Sequence, residues 1–294
     1  MLSAAFAVAA VVAAALLWDG GDPISLPVAQ ADATTSSVPG TTTTTTIDEL
    51  PPADAETTTI ATSVVGDLEV LHQLPADAVL SPHQVLGDAS RWAGYSPERT
   101  GAPEIPTIES PVVGRYRTEV GWTFSGPDAY GVSPVFAVIE RSGDWLRVLL
   151  PVRPNGTQGW VRASDVSLST TTYRIEVTVS TRTVRLLDRG IEVTSGPVIV
   201  GKAASPTPTG HFFVTDTIDK HTGSAYGPGI LAISGFSQAL DHFADGVPVL
   251  ALHGTNRPDL LGTAASNGCV RMGDDTINAL RSTVPLGTPV DILP

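Results

Sequence analysis

The sequence predicts a mainly β chain, with two small β-rich units carried behind a long extended N-terminal segment. Three observations carry this reading. From about Thr107 the chain breaks into short β-branched and aromatic runs separated by turn residues. Only "DDTINALRSTV" in that stretch has a convincing helical pattern. Charge is also unevenly spread. Residues 1–90 hold 11 Asp and Glu and no Lys or Arg, whereas residues 91–294 hold 19 acids against 17 basic side chains. The formal charge of −13 therefore belongs to the N-terminal region. The remaining ~200 residues are enough to bury two small cores. They are nearly neutral and show no basic stripe, which argues against nucleic acid as a partner.

The N-terminal elements follow from composition. Residues 1–18, "MLSAAFAVAAVVAAALLW", form an apolar run. It lies between a signal-peptide core of ~7–15 residues and a membrane span of ~20, so a signal peptide or an N-terminal membrane anchor is expected. "AQA" at 29–31 offers a small-residue cleavage site. No Lys or Arg precedes the run, which raises the expectation of a start further upstream. Residues 19–104 are expected to be a disordered acidic linker rich in Thr and Pro, because "TTTTTTIDELPPADAETTT" offers little apolar surface to offset its ordering entropy. One short helix is expected near "PHQVLGDASRWAG".

Residues 105–170 are expected to be a small β-barrel. "VVGRYRTEVGWTF", "SPVFAVIERSGDWLRVLLPV" and "TQGWVRASDVSL" read as strands, with turns at "SGPDAYG", "RSGD" and "RPNG". The run from Trp145 through Val148 to Gly159-Trp160-Val161 resembles bacterial SH3-like domains. Such domains bind cell-wall peptides or pack as spacers, and core packing is the expected role of Trp145 and Trp160.

Residues 171–294 form the second unit. Tyr173, Ile175, Val177 and Val179 alternate with Arg174, Glu176 and Thr178, as in a half-buried strand. "TVRLLDRGIEVTSGPVIVG" reads as a hairpin turning at Asp188-Arg189-Gly190. "HFFVTDTI", "VPVLALHG" and "TPVDIL" read as further strands. In the helix, Ile277, Leu280 and Val284 form the apolar face, and Asp274 or Asp275 is expected to cap it.

Cys269 is the sole cysteine, in "SNGC", sixteen residues after His253 in "HG". No intramolecular disulfide exists, so the thiol is either inert or kept for its reactivity. Ser266-Asn267-Gly268 suits a tight surface turn, and the N–H groups of Gly268 and Cys269 are expected to face an oxyanion. His253 could serve as the base that activates the thiol. On residues alone, Cys–His acyl transfer and a buried Cys beside a core His both stay open.

"HGTNRPDLLGTAASNGCVRM" closely resembles the signature of the L,D-transpeptidase family, the YkuD-type catalytic domain: H-G-x, a spacer, then S-x-G-C-[VI]-[RN]. "TPTG" at 207–210 with Phe212, and "AYGPGILAISGF" at 225–236, also match. The resemblance spans about Tyr173–Leu293 and implies a sandwich-like β domain. It implies Cys269 as nucleophile, His253 as base, and the Gly254 carbonyl as the group orienting the imidazole. Gly268 and Cys269 would supply the oxyanion N–H groups. Ser266, Asn267 and Arg271 are placed on the substrate side, with Ser266 also bracing the turn and Arg271 fixing a substrate carboxylate or a loop. Asn267 stands where many members carry a second His, and an amide cannot act as a base. His72, His83, His211, His221 and His242 match no catalytic position.

The resemblance also implies peptidoglycan stem peptides as partners, no cofactor and no metal. The protein is expected to be exported to the cell envelope, with membrane contact only through the N-terminal segment. The expected reaction joins third residues of stem peptides through a cysteine thioester, releasing D-Ala from a tetrapeptide donor. Water or a protein amine as acceptor, or a non-catalytic wall-binding role, are the alternatives.

Overall fold

A computed structural model describes residues 56–76, 78, 84–85, 115–128, 131–243 and 247–294. The apolar run at 1–18 and most of the Thr-rich segment lie outside the described residues. No helix among the described residues is long and apolar enough to cross a membrane. The chain is mainly β, as expected, and builds two nine-stranded sheets.

The first sheet contains β1 (Thr58–Ser63), β2 (Asp67–Leu71), β3 (Gln84–Val85), β4 (Arg115–Arg117), β5 (Gly121–Ser125), β6 (Val135–Ser142), β7 (Trp145–Leu149), β8 (Gln158–Arg162) and β9 (Val166–Thr171). Its order is β4-β5-β2-β8-β7-β6-β1-β9, with β3 on β6. Two expectations are corrected here. β1 and β2 fall inside the stretch read as linker, yet Ile60, Ala61, Leu68 and Val70 are core residues. Composition misled because threonine is both a stalk residue and a β-branched strand former. Thr58, Thr59 and Ser63 are themselves buried. The sheet therefore draws on the chain well before residue 105. In the expected helix near 82–94, Gln84–Val85 instead pairs with β6 as strand, and the other residues of that segment lie outside the described ones.

Trp145 and Trp160 are nearly buried, as a packing role requires. They sit on the face opposite Leu146, Val148 and Val161, and guanidinium groups cover them. Arg162 lies 4.5 Å from the Trp145 ring and Arg147 lies 5.9 Å from the Trp160 ring.

The second sheet contains β10 (Tyr173–Thr178), β11 (Thr183–Asp188), β12 (Ile191–Gly201), β13 (Gly210–Asp219), β14 (Gly229–Phe236), β15 (Val249–His253), β16 (Ala264–Ser266), β17 (Val270–Met272) and β18 (Pro289–Leu293). It runs β11-β10-β18-β13-β14-β15-β17-β12-β16. An extra β11–β12 pairing closes it on itself. The β11–β12 hairpin turns at Arg189 (φ 48°) and Gly190 (φ 75°), the left-handed pair that a two-residue hairpin favours. Inside lie Ile175, Val177, Phe212, Leu231, Leu252, Val270 and Ile292. Helix α1 (Asp274–Thr283) packs Ile277 and Leu280 onto this core.

Two local expectations fail in this unit. Gly273, not Asp274 or Asp275, is the N-cap of α1; both acids fall in the first turn, where they meet the positive end of the helix dipole. Arg174, on the polar side of its alternating strand, is buried, with its Nε 3.8 Å from the Asp291 carboxylate. The outer face of β10 is thus covered at that point. The two units share apolar surface: Phe213 of β13 belongs to the first sheet's core, and Leu286 packs against both cores.

A chain beginning at residue 105 should lose the first sheet's cooperative unfolding transition, whereas one beginning at residue 56 should keep it. Leu68→Ala should destabilise by about 2–5 kcal/mol, through lost burial and the cavity left behind. Thermal unfolding followed by circular dichroism checks both.

Candidate active site

The site is built on the parallel pairing of β15 and β17, in which Leu252 faces Val270 and His253 faces Arg271. Leu252 and Val270 point into the core. Side chains alternate along a strand, so Ala251, His253, Cys269 and Arg271 share the opposite face. His253 and Cys269 are then diagonal neighbours across the pair.

The imidazole is held firmly. His253 is 2 % exposed, and its Nδ1 lies 2.7 Å from the Gly254 carbonyl oxygen. A carbonyl only accepts, so Nδ1 carries the hydrogen and Nε2 presents a lone pair. Burial, then the nearby Arg271 charge, lowers the His253 pKa to about 3, against a smaller upward pull from the Gly254 bond. The ring rests against Tyr226, centroids 4.9 Å apart. Burial, with a smaller push from Cys269 and an opposing pull from Arg271, raises the Tyr226 hydroxyl to about 12.

Cys269 is half-buried. Desolvation raises its pKa, opposed by a hydrogen bond with the Ala251 backbone and by the Arg271 charge. The resting pair is thus a neutral thiol beside a neutral imidazole. Both shifts disfavour a ready-made thiolate–imidazolium ion pair. Arg271 is half-buried, and its buried Nε has no hydrogen-bond partner among the described residues.

The turn before the thiol is closed by Ser266. Its hydroxyl donates to the Cys269 carbonyl at 2.6 Å and accepts from the Gly268 N–H at 3.1 Å. This corrects two expectations. Ser266 is 0 % exposed with its hydroxyl doubly engaged, so it shapes the turn and does not face substrate. The Gly268 N–H is consumed inside the turn and does not face an oxyanion. The Gly268 carbonyl is fixed as well, because Thr207 Oγ1 donates to it at 2.8 Å while accepting from the Gly201 N–H at 2.8 Å. A trans peptide directs its N–H opposite its carbonyl, so Thr207 sets where the Cys269 N–H points. Gly268 has φ 121°, a backbone position L side chains rarely adopt. Asn267 is exposed beside the thiol turn.

Gly254 has a second role beyond its carbonyl. A Cβ there would meet the Gly227 Cα at 2.7 Å, so the Tyr226 loop and the "HG" backbone touch directly. From α1, Arg281 donates to the Pro228 carbonyl at 3.2 Å and pairs with Asp219, fixing that loop from below. The sequence reading gave no role to Tyr226, Thr207 or Arg281. The signal for the first two lay in "AYGPG", whose glycines mark close approaches, and in "TPTG", whose Gly210 has φ 146°; Arg281 carried none. His211 bonds Asp291 at 2.7 Å within the β13–β18 pair, which gives it a structural partner.

β15 and the turn that enters β17 bring a tautomer-fixed histidine and a cysteine to one face of a closed β unit, the residue types that thiol-based acyl transfer uses. The family model of the L,D-transpeptidase catalytic domain, YkuD, matches residues 172–292. YkuD of Bacillus licheniformis is 36% identical over 155 residues, covering 50% of this chain and 86% of that protein. YkuD of Bacillus subtilis strain 168 is 32% identical over 120 residues, covering 41% of this chain and 65% of that protein. The chain belongs to the YkuD family of L,D-transpeptidases, enzymes that act on peptidoglycan. Among solved structures, an L,D-transpeptidase from Mycobacterium tuberculosis H37Rv matches with TM-score 0.36 and 17% identity, over 54% of this chain and 72% of that one.

Acid should expose the buried imidazole. Between the ordinary His value of 6.5 and about 3, the unfolded chain binds a proton that the folded one excludes, so stability falls as pH drops. The wild type should lose about 1.4 kcal/mol more per pH unit across that window than His253→Gln. Denaturant unfolding at stepped pH measures the difference. Thr207→Val should cost about 1–3 kcal/mol by stranding the Gly201 N–H and the Gly268 carbonyl, and the same titration reads it.

Proposed function

We propose that this protein joins peptidoglycan stem peptides, third residue to third residue, through a thioester on Cys269. The observation that supports this most is the His253 Nδ1–Gly254 carbonyl bond. It leaves Nε2 as a base on the face that carries the sole cysteine. His253 takes the thiol proton as sulfur adds to the carbonyl carbon of the donor's third residue. The developing oxyanion is met by the Cys269 N–H, whose direction Thr207 sets. The C–N bond to the terminal D-Ala then breaks, and His253 returns its proton to the departing amine. The side-chain amine of a second stem attacks the thioester and gives a proton to His253; the new amide forms and the thiol is released.

Asn267 supplies no second base, so His253 carries both proton transfers. Arg271 stands beside both groups, its Nε without a partner among the described residues, and suits a substrate carboxylate. The mechanism calls for no cofactor or metal. The substrate class places the protein at the cell envelope. We read residues 1–18 as its signal peptide or anchor and the first sheet as an SH3-like unit preceding the catalytic one.

Full-length protein mixed with a tetrapeptide-stem muropeptide should gain the mass of a tripeptide-stem acyl group and release D-Ala. Cys269→Ala should abolish both while unfolding at a similar temperature, and His253→Ala should slow turnover by at least about 10³-fold. Cross-linked dimer names an amine acceptor and free tripeptide names water. No adduct and no D-Ala release from the wild type would leave a wall-binding role.

A further inference from the structure

The first sheet reaches into the catalytic unit at one built contact. In the β7–β8 connection, the Asn155 side chain donates to the Phe236 carbonyl at 2.9 Å and accepts from the Phe236 N–H at 2.9 Å. Asn155 is 6 % exposed. A primary amide that pairs with both main-chain groups of one residue mimics a neighbouring strand. The β13–β14 register ends at Val214 and Ile233, so Asn155 meets Phe236 past the end of that pairing. Two residues earlier, Arg153 donates to the carbonyls of Leu240 at 3.0 Å and Ser237 at 3.4 Å. Its guanidinium also lies 5.7 Å from the Phe236 ring.

These contacts grip the start of the β14–β15 connection. Ser237 holds the same turn from inside, its hydroxyl accepting from the Ala239 and Leu240 N–H groups. Phe236 faces Val249 at the start of β15, and the Ser237 N–H donates to the Pro248 carbonyl at 2.9 Å. The site lies immediately along β15. A Cβ on Gly268 would sit 3.5 Å from Leu250, and the Ala251 backbone bonds the Cys269 thiol. A run of hydrogen bonds, strand pairing and side-chain contact therefore leads from Asn155 through Phe236 and β15 to the thiol turn.

We propose that Arg153 and Asn155 are positioning residues for the active site, making the first sheet a working part of the catalytic unit and not only a spacer. The β7–β8 connection fixes the entry of β15, and through it the wall of the site beside Cys269. The kinetic arm below rests on the transpeptidase reading; the other two arms do not.

The test uses the full chain as wild type, Asn155→Ala, Arg153→Ala and Arg153→Lys. Hydrogen exchange at Phe236 to Leu240 reads the grip, iodoacetamide alkylation of Cys269 reads the thiol's surroundings, and steady-state kinetics on a tetrapeptide-stem muropeptide read binding against turnover. Both alanine variants should lose protection in that segment, change the alkylation rate at least about threefold, and lower kcat/KM about tenfold, mainly through KM. Arg153→Lys, which keeps the charge and one donor nitrogen, should recover part of the alanine effect. Lost protection with unchanged alkylation and unchanged KM would overturn the proposal, leaving the contact as docking only. Unchanged protection would overturn it as well. If Asn155→Ala fails to fold, the two Arg153 variants decide. If the wild type does not turn over the muropeptide, the transpeptidase reading fails, while exchange and alkylation still decide the grip.

Discussion

The parallel pairing of β15 with β17 is the constraint on which the site depends. It puts Leu252 and Val270 into the core and, by alternation, puts His253 and Cys269 on one outer face. A slip of one residue in either strand would send one of the two into the core and a leucine or valine into the site. The register is therefore defended by apolar burial on the other face. The chemistry is held in place by packing that takes no part in it.

The surroundings solve a second problem, which is how to keep a buried histidine neutral and correctly oriented. Burial and Arg271 both disfavour the imidazolium, and the Gly254 carbonyl selects the tautomer. The same carbonyl cannot take up a proton, so it orients the ring without competing for the thiol's hydrogen. The Tyr226 loop closes over the ring because two glycines, Gly227 and Gly254, let the backbones touch. Arg281 secures that loop from the helix side.

The turn that carries the thiol shows how few polar groups are spare. Ser266 consumes the Gly268 N–H and the Cys269 carbonyl, and Thr207 consumes the Gly268 carbonyl. Rigidity at Cys269 thus comes from hydroxyls whose bonding capacity is filled within the fold. A buried, satisfied network of this kind specifies one geometry, and partial loss of it strands donors or acceptors away from water.

Local pattern was enough for the mainly β class, the hairpin at Asp188-Arg189-Gly190 and the apolar face of the helix. Each depends on residues near in sequence. The tertiary structure decided what depends on distant partners. Whether Thr58–Ser63 is stalk or core turned on its pairing with β6 and β9, some 70 to 110 residues away, since the same threonines suit either fate. Whether Gly268 or Cys269 offers its N–H turned on where the Ser266 hydroxyl points, and the identities of the residues do not fix that direction. Arg153, Asn155 and Arg281 were invisible beforehand because each bonds to main-chain carbonyls, which every residue possesses and no side-chain pattern announces.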